Sequence, residues 1–314
     1  MTSRKAVRPA KAGGLSLSGP ATLQAYLDSH RKFVERALSR CLPAATVRPA
    51  TIHRAMRYSL LAGGKRLRPI LTLAAAEACG SKNLGNILPA ACAVEMIHTY
   101  SLVHDDLPCM DDDELRRGRP TSHKVFGEGI AVLAGDALLT RAFGLLATVT
   151  PAERYPLSQL LAETEAAAGS LQLIAGQVAD LEAEGKKLSI RDVRFIHERK
   201  TAAMIVLSLR LGAMIAGATP RDLKALTEFG ASLGLAFQIL DDILDVTSTS
   251  EQLGKSAGKD LKSAKATYPA VIGLEGAGKE AEKMTRSALR ALAPLGTRGS
   301  RLREIAEYLL KRQG

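Results

Sequence analysis

Aspartate residues form two clusters in this chain of 314 residues, one at 105–113 and one at 241–245. In the second cluster Asp241 and Asp245 are four residues apart, so a helix would place both on one face, among apolar neighbours at 239–246. Carboxylates crowded in partly buried surroundings raise one another's pKa unless cations neutralise them. Magnesium does so, and it commonly bridges protein carboxylates to phosphate oxygens. The clusters therefore predict metal sites that hold a diphosphate between them, although either run alone would also fit a solvated acidic helix face.

The first cluster is less regular than the second. Six residues separate Asp105 from Asp111, and that spacing does not bring two side chains to the same face of an ideal helix. Pro108 lies between them and cannot donate to the helical hydrogen-bond ladder. The sequence therefore predicts that the helix leading to Asp105 bends or ends at this cluster.

Two groups of basic residues could hold phosphate oxygens. The sequence Gly-Gly-Lys-Arg-Leu-Arg-Pro at 63–69 places three cations after a flexible glycine pair and near a helix N-terminus, which also attracts anions. By itself this group would slightly favour a solvated basic loop. Arg116 and Arg117 follow the first aspartate cluster closely, and guanidinium groups make forked contacts to phosphate. The preferred cationic set is Lys65, Arg68, Arg116 and Arg117.

Helices are the elements that must position these side chains. The chain is 46% hydrophobic and rich in Ala and Leu, with 4% aromatic residues and no Trp, a composition that favours helices over strands. Helical patterns follow one another from residue 21 onward, with Gly or Pro at the breaks and no long linker. Two stretches, 129–148 and 201–217, are apolar almost all round and should be enclosed by other helices. We expect one all-α domain at 21–314, a many-helix bundle, after a disordered basic tail at 1–20.

The charge of the chain leaves several kinds of partner open. A net charge of +11 and an isoelectric point of about 9.6 could indicate nucleic acid, an anionic surface or small anionic substrates. Residues 1–20 carry four of these positive charges, so the body of the chain is only moderately basic. It contains no recognised nucleic-acid-binding motif, and its basic residues are not interleaved with aromatic ones. We therefore expect no nucleic-acid partner.

The cysteines and the longest apolar stretches bear on the location of the protein. The four cysteines show neither CxxC nor Cys/His ligand spacing, which argues against a zinc site or a disulfide framework. Asp136 with Arg141, and Arg210 further on, interrupt the apolar stretches, so neither stretch predicts a membrane span. The basic N-terminus lacks the apolar segment of a secretory signal, although such tails can resemble transit peptides. We expect a cytoplasmic protein.

In combination, the motifs resemble those of the trans-isoprenyl diphosphate synthases, and within them the bacterial-type farnesyl diphosphate synthases. The resemblance runs from about residue 22 to the C-terminus and is specific because the motifs occur together and in order. They are GGKRLRP at 63–69, DDLPCMDDDELRRGRPTSH at 105–123, Lys200-Thr201, FQILDDILD at 237–245, and Lys255 with Lys265 before Tyr268-Pro269. The family implies an all-α fold around a central cavity, with the aspartate motifs on facing helices at its mouth, usually in a homodimer.

The resemblance also implies a role for each matching residue. Three magnesium ions would be held by Asp105, Asp106 and Asp111 in the first motif and by Asp241, Asp242 and Asp245 in the second. Isopentenyl diphosphate would contact Lys65, Arg68, His98, Arg117 and Arg312. The allylic diphosphate would contact Arg116, Lys200, Gln238, Lys255 and Lys265. The catalytic residues would be Asp105, Asp106, Asp111, Lys200, Thr201, Gln238 and Asp241.

Some of these assignments rest on the resemblance alone. On spacing alone, His98 would fit an ordinary core histidine. Lys200 and Thr201 resemble the pair that lies near the developing carbocation, and Gln238 would help to orient the site. Gln177 and Asp180 lie in a family-like stretch whose role stays open.

The implied activity is a magnesium-dependent prenyl transfer that makes farnesyl diphosphate from isopentenyl diphosphate and dimethylallyl or geranyl diphosphate. Ionisation, condensation and proton loss depend on electrostatic stabilisation and positioning, and they need no Ser or Cys nucleophile. Geranylgeranyl and geranyl diphosphate are alternative products. A class I terpene cyclase would leave one cationic group without a diphosphate, and a non-catalytic partner subunit would be expected to lack aspartates from one cluster. A nucleic-acid-binding protein would be indifferent to the aspartates.

Residues on the helix before Asp105 would set the product length. The positions four and five residues before Asp105 lie about one helical turn deeper in the bundle, and they are Ser101 and Tyr100. The resemblance to farnesyl-producing enzymes implies that Tyr100 forms the floor of the cavity and excludes longer chains by its shape. The alternative is an ordinary core aromatic residue with no role in length control.

Overall fold

The structure, a computed structural model, describes residues 22–247 and 267–310. The expected tail at 1–20, and with it Lys255, Lys265 and Arg312, lies outside the described residues. The predicted all-α class is confirmed, since two strands of two residues each are the β structure that the described ranges contain. In chain order the elements are α1 (Leu23–Cys41), α2 (Ala50–Leu60), α3 (Leu67–Ala78), α4 (Leu84–Asp105), β1 (Leu115–Arg116), β2 (Arg119–Pro120), α5 (Ser122–Phe126), α6 (Glu128–Leu146), α7 (Leu157–Ala168), α8 (Leu173–Ala183), α9 (Ile190–His197), a π-helix (Glu198–Ala202), α10 (Ala203–Ile215), α11 (Pro220–Thr247), α12 (Tyr268–Ala291), a 3₁₀-helix (Ala293–Gly299) and α13 (Ser300–Leu310).

Local sequence signals start several of these helices. The Thr22 side chain accepts a hydrogen bond from the Ala25 backbone N–H at 3.3 Å and caps α1. Before α9, Ser189 and Asp192 form a reciprocal capping box. Thr267 caps α12 in the same way as Thr22 caps α1, with Pro269 in the first turn, where no helical N–H is needed.

The centre of the bundle is made by α3, α4 and α10, most of whose residues are buried. Helix α4 packs against α3 and α6, and α10 packs against α3 and α11. Gly212 lets α10 lie very close to α3, because a Cβ there would be 2.0 Å from the Thr72 carbonyl oxygen. The predicted enclosure of the stretch at 201–217 is confirmed for α10.

Helix α6 departs from the prediction that other helices enclose the stretch at 129–148. It packs against α4 and α2, but Val132 and Leu133 on its outer face are 39% and 55% exposed. Of the helices in the described part of the chain, α6 is the one whose length and composition would allow it to cross a membrane. Arg141 is anchored in the bundle, since its Nε donates to the Cys41 carbonyl at 2.9 Å, whereas Asp136 is exposed. The helix thus has one packed face and one uncovered apolar face.

Candidate active site

The first aspartate cluster lies where α4 ends and the chain folds back. Asp105 is the last residue of α4, as the spacing around Pro108 predicts. The Asp111 N–H donates to the Asp105 carbonyl at 2.9 Å, and the Asp113 N–H donates to the Asp106 carbonyl at 3.2 Å. Asp112 takes a left-handed conformation with φ of 45°, which makes this tight return possible. The end of the helix, rather than its periodicity, therefore brings Asp111 back to Asp105.

Asp105 is held by side chains from two other elements. Its Oδ2 lies 3.4 Å from Lys200 Nζ, and its Oδ1 accepts a hydrogen bond from the Gln177 side-chain amide of α8. Lys200 Nζ also donates to Asp180 Oδ2 at 2.7 Å. Burial lowers the pKa of Lys200, but Asp105 and Asp180 outweigh it and hold the pKa above its ordinary value. Gln177 and Asp180, to which the sequence assigned no role, therefore orient Asp105 and Lys200.

Asp106 is paired with Arg116 on the following hairpin. Arg116 Nε donates to Asp106 Oδ1 at 2.9 Å, and the same guanidinium donates to Asp113 Oδ2 at 2.8 Å. Burial raises the pKa of Asp106, and the nearby charge of Asp105 adds to this, whereas Arg116 lowers it. The pKa of Asp106 is raised overall, so its negative charge is only partly compensated by the protein.

Lys200 and Thr201 lie in the π-helix between α9 and α10. A π-helix turn takes up an extra residue and often marks a functional site. Glycines on both neighbouring helices allow it to fit, because a Cβ at Gly176 would lie 2.4 Å from the Lys200 backbone nitrogen, and one at Gly234 would lie 2.6 Å from Ala202 Cα. Thr201 Oγ1 donates to Gln238 Oε1 on α11 at 2.8 Å. The π-helix thus links the first aspartate cluster to the helix that carries the second.

The second aspartate cluster occupies the last turns of α11, and its members face different ways. Asp241 is exposed, whereas Asp242 and Asp245 are buried. Asp242 accepts hydrogen bonds from Gln238 Nε2 at 3.3 Å and from the Tyr268 backbone N–H at 3.0 Å. Asp242 therefore binds protein donors on two elements, and Asp241 is the member that is open to solvent.

His197 is a buried site residue that sequence reasoning missed. It ends α9, its ring stacks on Tyr268 with 5.4 Å between centroids, and its Nε2 lies 3.5 Å from Asp242 Oδ2. Burial lowers the pKa of His197 to about 4 and outweighs the opposing charge of Asp180, and the charge of Lys200 lowers the pKa further. The signal that could have found it is its position three residues before Lys200, on the helix leading into the site.

The glycine-rich loop before α3 lies against Arg117. Gly63 and Gly64 have φ of 85° and 119°, and the Gly63 carbonyl accepts a hydrogen bond from the Arg117 guanidinium. The φ of Gly64 is one that other residues rarely adopt, which favours glycine there, and the Arg117 guanidinium occupies the space where a Cβ would lie. Lys65 is exposed beside this contact. The fold therefore brings together two basic groups that are about fifty residues apart in the sequence.

His98 and Arg68 complete the cationic group from α4 and α3. Burial lowers the pKa of His98 well below its ordinary value, and the charges of Arg68, Arg117 and Arg116 lower it further. Burial also lowers the pKa of Arg68, against the opposing effect of Glu95. Arg68 Nε is buried and has no hydrogen-bond partner among the described residues. A neutral His98 surrounded by arginines, one of which has an unused donor, is a site suited to an anion.

Tyr100 and Ser101 lie on α4 below the first aspartate cluster. Tyr100 is 6% exposed and packs edge-to-face against His104, with 5.7 Å between ring centroids. Ser101 Oγ donates to the His98 carbonyl at 2.9 Å. A cavity of about 420 Å³, counted with the solvent at its mouth, is lined by Asp106, Arg116 and Arg117, and α4 contributes Thr99, Leu102 and Val103 to its wall rather than Tyr100 or Ser101. Within residues 22–247 and 267–310, no three His, Cys, Asp or Glu side chains converge closely enough to hold a metal by themselves.

A helical bundle that brings aspartate clusters and two cationic groups to one end is the architecture of an enzyme that handles diphosphates. The chain belongs to the polyprenyl synthetase family, whose model matches residues 49–296, and it is a prenyltransferase. It is 47% identical to the farnesyl diphosphate synthase of Geobacillus stearothermophilus over 294 residues, which cover 93% of this chain and 98% of that protein. It is 46% identical to the large subunit 1 of the chloroplastic heterodimeric geranylgeranyl pyrophosphate synthase of Arabidopsis thaliana over 312 residues, 96% of this chain and 83% of that protein.

A solved structure agrees with the sequence relatives. The geranyltransferase of Helicobacter pylori, complexed with magnesium and isoprenyl diphosphate, superposes with a TM-score of 0.81 at 35% identity and covers 94% of this chain and 98% of its own. The resemblance inferred from the motifs is therefore confirmed at the level of family and fold. Because relatives carry the names of both farnesyl and geranylgeranyl synthases, the comparisons leave the product open.

Proposed function

We propose that this protein condenses isopentenyl diphosphate with dimethylallyl diphosphate and then with geranyl diphosphate, and releases farnesyl diphosphate. The observation that carries the choice of product is Tyr100, a buried aromatic side chain about one helical turn from Asp105. A prenyl chain growing away from the aspartates would meet this ring, and shape exclusion in an apolar pocket would stop it at fifteen carbons.

The carboxylates fit magnesium as the metal. Their oxygens are the hard ligands that magnesium prefers, and magnesium completes its octahedral shell with substrate phosphate oxygens. Burial raises the pKa of Asp106 and so disfavours its charged form, an effect that a bound cation would oppose. We assign Asp105, Asp106 and Asp111 to one side of the site and Asp241, Asp242 and Asp245 to the other, with three ions in total. Bound there, magnesium would neutralise the charge of the departing diphosphate.

The allylic diphosphate would leave next to Lys200 and Arg116. The bond from C1 to the diphosphate oxygen breaks with its electron pair on the diphosphate, and these two cations stabilise that charge. Their present partners are Asp105, Asp106, Asp113 and Asp180. The Thr201–Gln238 hydrogen bond orients the side of the site nearest the carbocation. We keep Lys255 and Lys265 as further ligands of this diphosphate on the basis of the family resemblance.

Isopentenyl diphosphate would bind at the other cationic group, formed by Lys65, Arg68, His98 and Arg117, and Arg312 is proposed to join them. Its double bond attacks the carbocation, a carbon–carbon bond forms, and the adjacent carbon loses a proton to the released diphosphate. Neutral His98 contributes a hydrogen bond without adding charge. Two separate cationic groups support this reaction over a terpene cyclisation, which uses a single diphosphate.

We also propose that the enzyme is a cytoplasmic homodimer that binds no nucleic acid. The uncovered apolar residues of α6, with Ile174 and Val178 on α8, provide surface for a second copy. The family resemblance supports the same oligomeric state.

The test of the product is a chain-length assay. Purified protein is incubated with magnesium, labelled isopentenyl diphosphate and each allylic diphosphate, and the products are separated by chromatography. We expect a fifteen-carbon product from the wild type and longer products from Tyr100→Ala. Ser101→Ala, which keeps the aromatic ring, is the matched control. A wild type that makes twenty carbons would identify a geranylgeranyl synthase, and an active Tyr100→Ala with unchanged products would make Tyr100 an ordinary core residue.

A further inference from the structure

Arg66 differs from the adjacent Lys65 because its side chain is buried in the protein, whereas Lys65 is exposed. The Arg66 side chain is 1% exposed, and its two terminal nitrogens donate to Glu95 Oε1 at 2.7 Å and to the Leu60 carbonyl at 2.8 Å. Its backbone is left-handed, with φ of 52°, directly before the first residue of α3. A residue other than glycine adopts this conformation only when its surroundings enforce it. The two hydrogen bonds of the side chain are such a constraint.

Glu95 is the buried counter-ion beneath the whole cationic group. Its side chain is 3% exposed on α4, three residues before His98. Glu95 also acts beyond its bond to Arg66. Burial lowers the pKa of Arg68 and of Arg117, and the negative charge of Glu95 raises both pKa values. A buried ion pair is weak as a source of stability, because desolvation offsets much of the Coulomb attraction. Its location under an anion site points to a different role.

We propose that Arg66 and Glu95 form a positioning pair that fixes the loop at 63–68 in the conformation that receives isopentenyl diphosphate, an inference that rests on the proposed function. Anchoring Arg66 inward turns Lys65 outward, on the opposite side of the chain. Arg117 donates a hydrogen bond to the Gly63 carbonyl, so the loop is held at Gly63 as well as at Arg66. Neither Arg66 nor Glu95 is required to touch the substrate.

The direction in which the KM for isopentenyl diphosphate changes distinguishes a positioning role from a purely electrostatic one. Glu95→Gln removes a negative charge from beneath an anion site, and attraction alone would then lower the KM for isopentenyl diphosphate. Loss of positioning would raise it. We expect a KM for isopentenyl diphosphate raised about tenfold or more, which corresponds to about 1.4 kcal/mol, with the KM for the allylic substrate within about twofold of the wild type. Glu35→Gln is the control, because Glu35 Oε1 lies 4.0 Å from Arg66 Nε but its side chain is 39% exposed, against 3% for Glu95.

The double variant Arg66→Met, Glu95→Leu tests whether the pair only stabilises the fold. It removes both members of the pair, so neither Arg66 nor Glu95 is left buried and charged without the other, and its melting temperature should fall less than that of Glu95→Gln. We expect its KM for isopentenyl diphosphate to remain raised. A folded double variant with a wild-type KM, or a lowered KM in Glu95→Gln, would overturn the proposal.

Calorimetric titration with inorganic diphosphate makes the test independent of the product. Weaker binding is expected in Glu95→Gln and in the double variant, and unchanged binding in both would also overturn the proposal. This readout holds whichever chain length the wild type makes. The experiments therefore distinguish an error in the proposed product from an error in the proposed role of Arg66 and Glu95.

Discussion

At the scale of single residues, the carboxylates that face the site should differ sharply from those on the surface. Asp105 contacts Lys200 and Gln177, and Asp241 is the exposed member of its cluster. We expect Asp105→Ala or Asp241→Ala to lower kcat by about 100- to 1000-fold or more, because each removes stabilisation of the departing charge. Asp28→Ala, on the surface of α1, is the control and should retain full activity. Near-normal steady-state rates in a folded Asp105→Ala or Asp241→Ala enzyme would contradict the assignment of the site.

His197 gives the folded protein a sensitivity to acid. Its pKa is about 4 in the folded chain because of burial, and about 6.5 in an unfolded chain. Between these values the unfolded chain binds a proton that the folded chain does not, so stability falls as the pH drops from about 6.5 to 4. The loss should reach at most about 3 kcal/mol. Urea unfolding of the magnesium-free protein at several pH values would measure the free energy of unfolding. If a His197→Gln variant lost stability as steeply between about pH 6.5 and 4, another group would be responsible.

At the scale of elements, the sequence predicted the helices more fully than the irregular backbone between them. The end of α4 at Asp105 could be predicted, because Pro108 and the spacing of the aspartates are local signals. The π-helix could not be predicted, because no Gly or Pro marks the sequence from 190 to 211 and its geometry depends on close packing against Gly176 and Gly234. Arg66 shows the same limit. The adjacent Lys65 is exposed, whereas the left-handed backbone of Arg66 accompanies a side chain that is turned inward.

The close packing of α8 on the π-helix should be necessary for turnover. A Cβ at Gly176 would lie 2.4 Å from the Lys200 nitrogen and 2.8 Å from Lys200 Cα, which are backbone atoms that cannot rotate away. Gly176→Ala should therefore displace Lys200 from Asp105, lower kcat at least tenfold and cost about 1–3 kcal/mol of stability. The control is Gly278→Ala on α12, where nothing lies within 4 Å. It should be neutral or stabilising by up to about 1 kcal/mol. Wild-type kinetics in Gly176→Ala would show that the site tolerates movement of the π-helix.

At the scale of the whole molecule, the residues of α8 that contact the candidate site and the uncovered apolar residues of the same helix lie on neighbouring faces. Gln177 and Asp180 point to Asp105 and Lys200, whereas Ile174 and Val178 are 42% and 47% exposed. Helix α6 likewise packs on α4 and exposes Leu133. Exposed apolar side chains on two helices that also support the site would link assembly to activity, because covering them would restrain both helices.

Disruption of the exposed apolar surface of α6 and α8 should therefore change the oligomeric state of the protein. We expect the wild type to behave as a dimer in light scattering coupled to gel filtration. Leu133→Glu places a charge in the proposed contact, where it would be buried without a partner, and should yield monomers at micromolar concentration. Leu274→Glu is the control, because Leu274 is similarly exposed, at 47%, on α12, which packs against α11. A monomeric wild type would contradict the proposed dimer. A Leu133→Glu variant that remains dimeric would show that Leu133 of α6 does not lie in the interface.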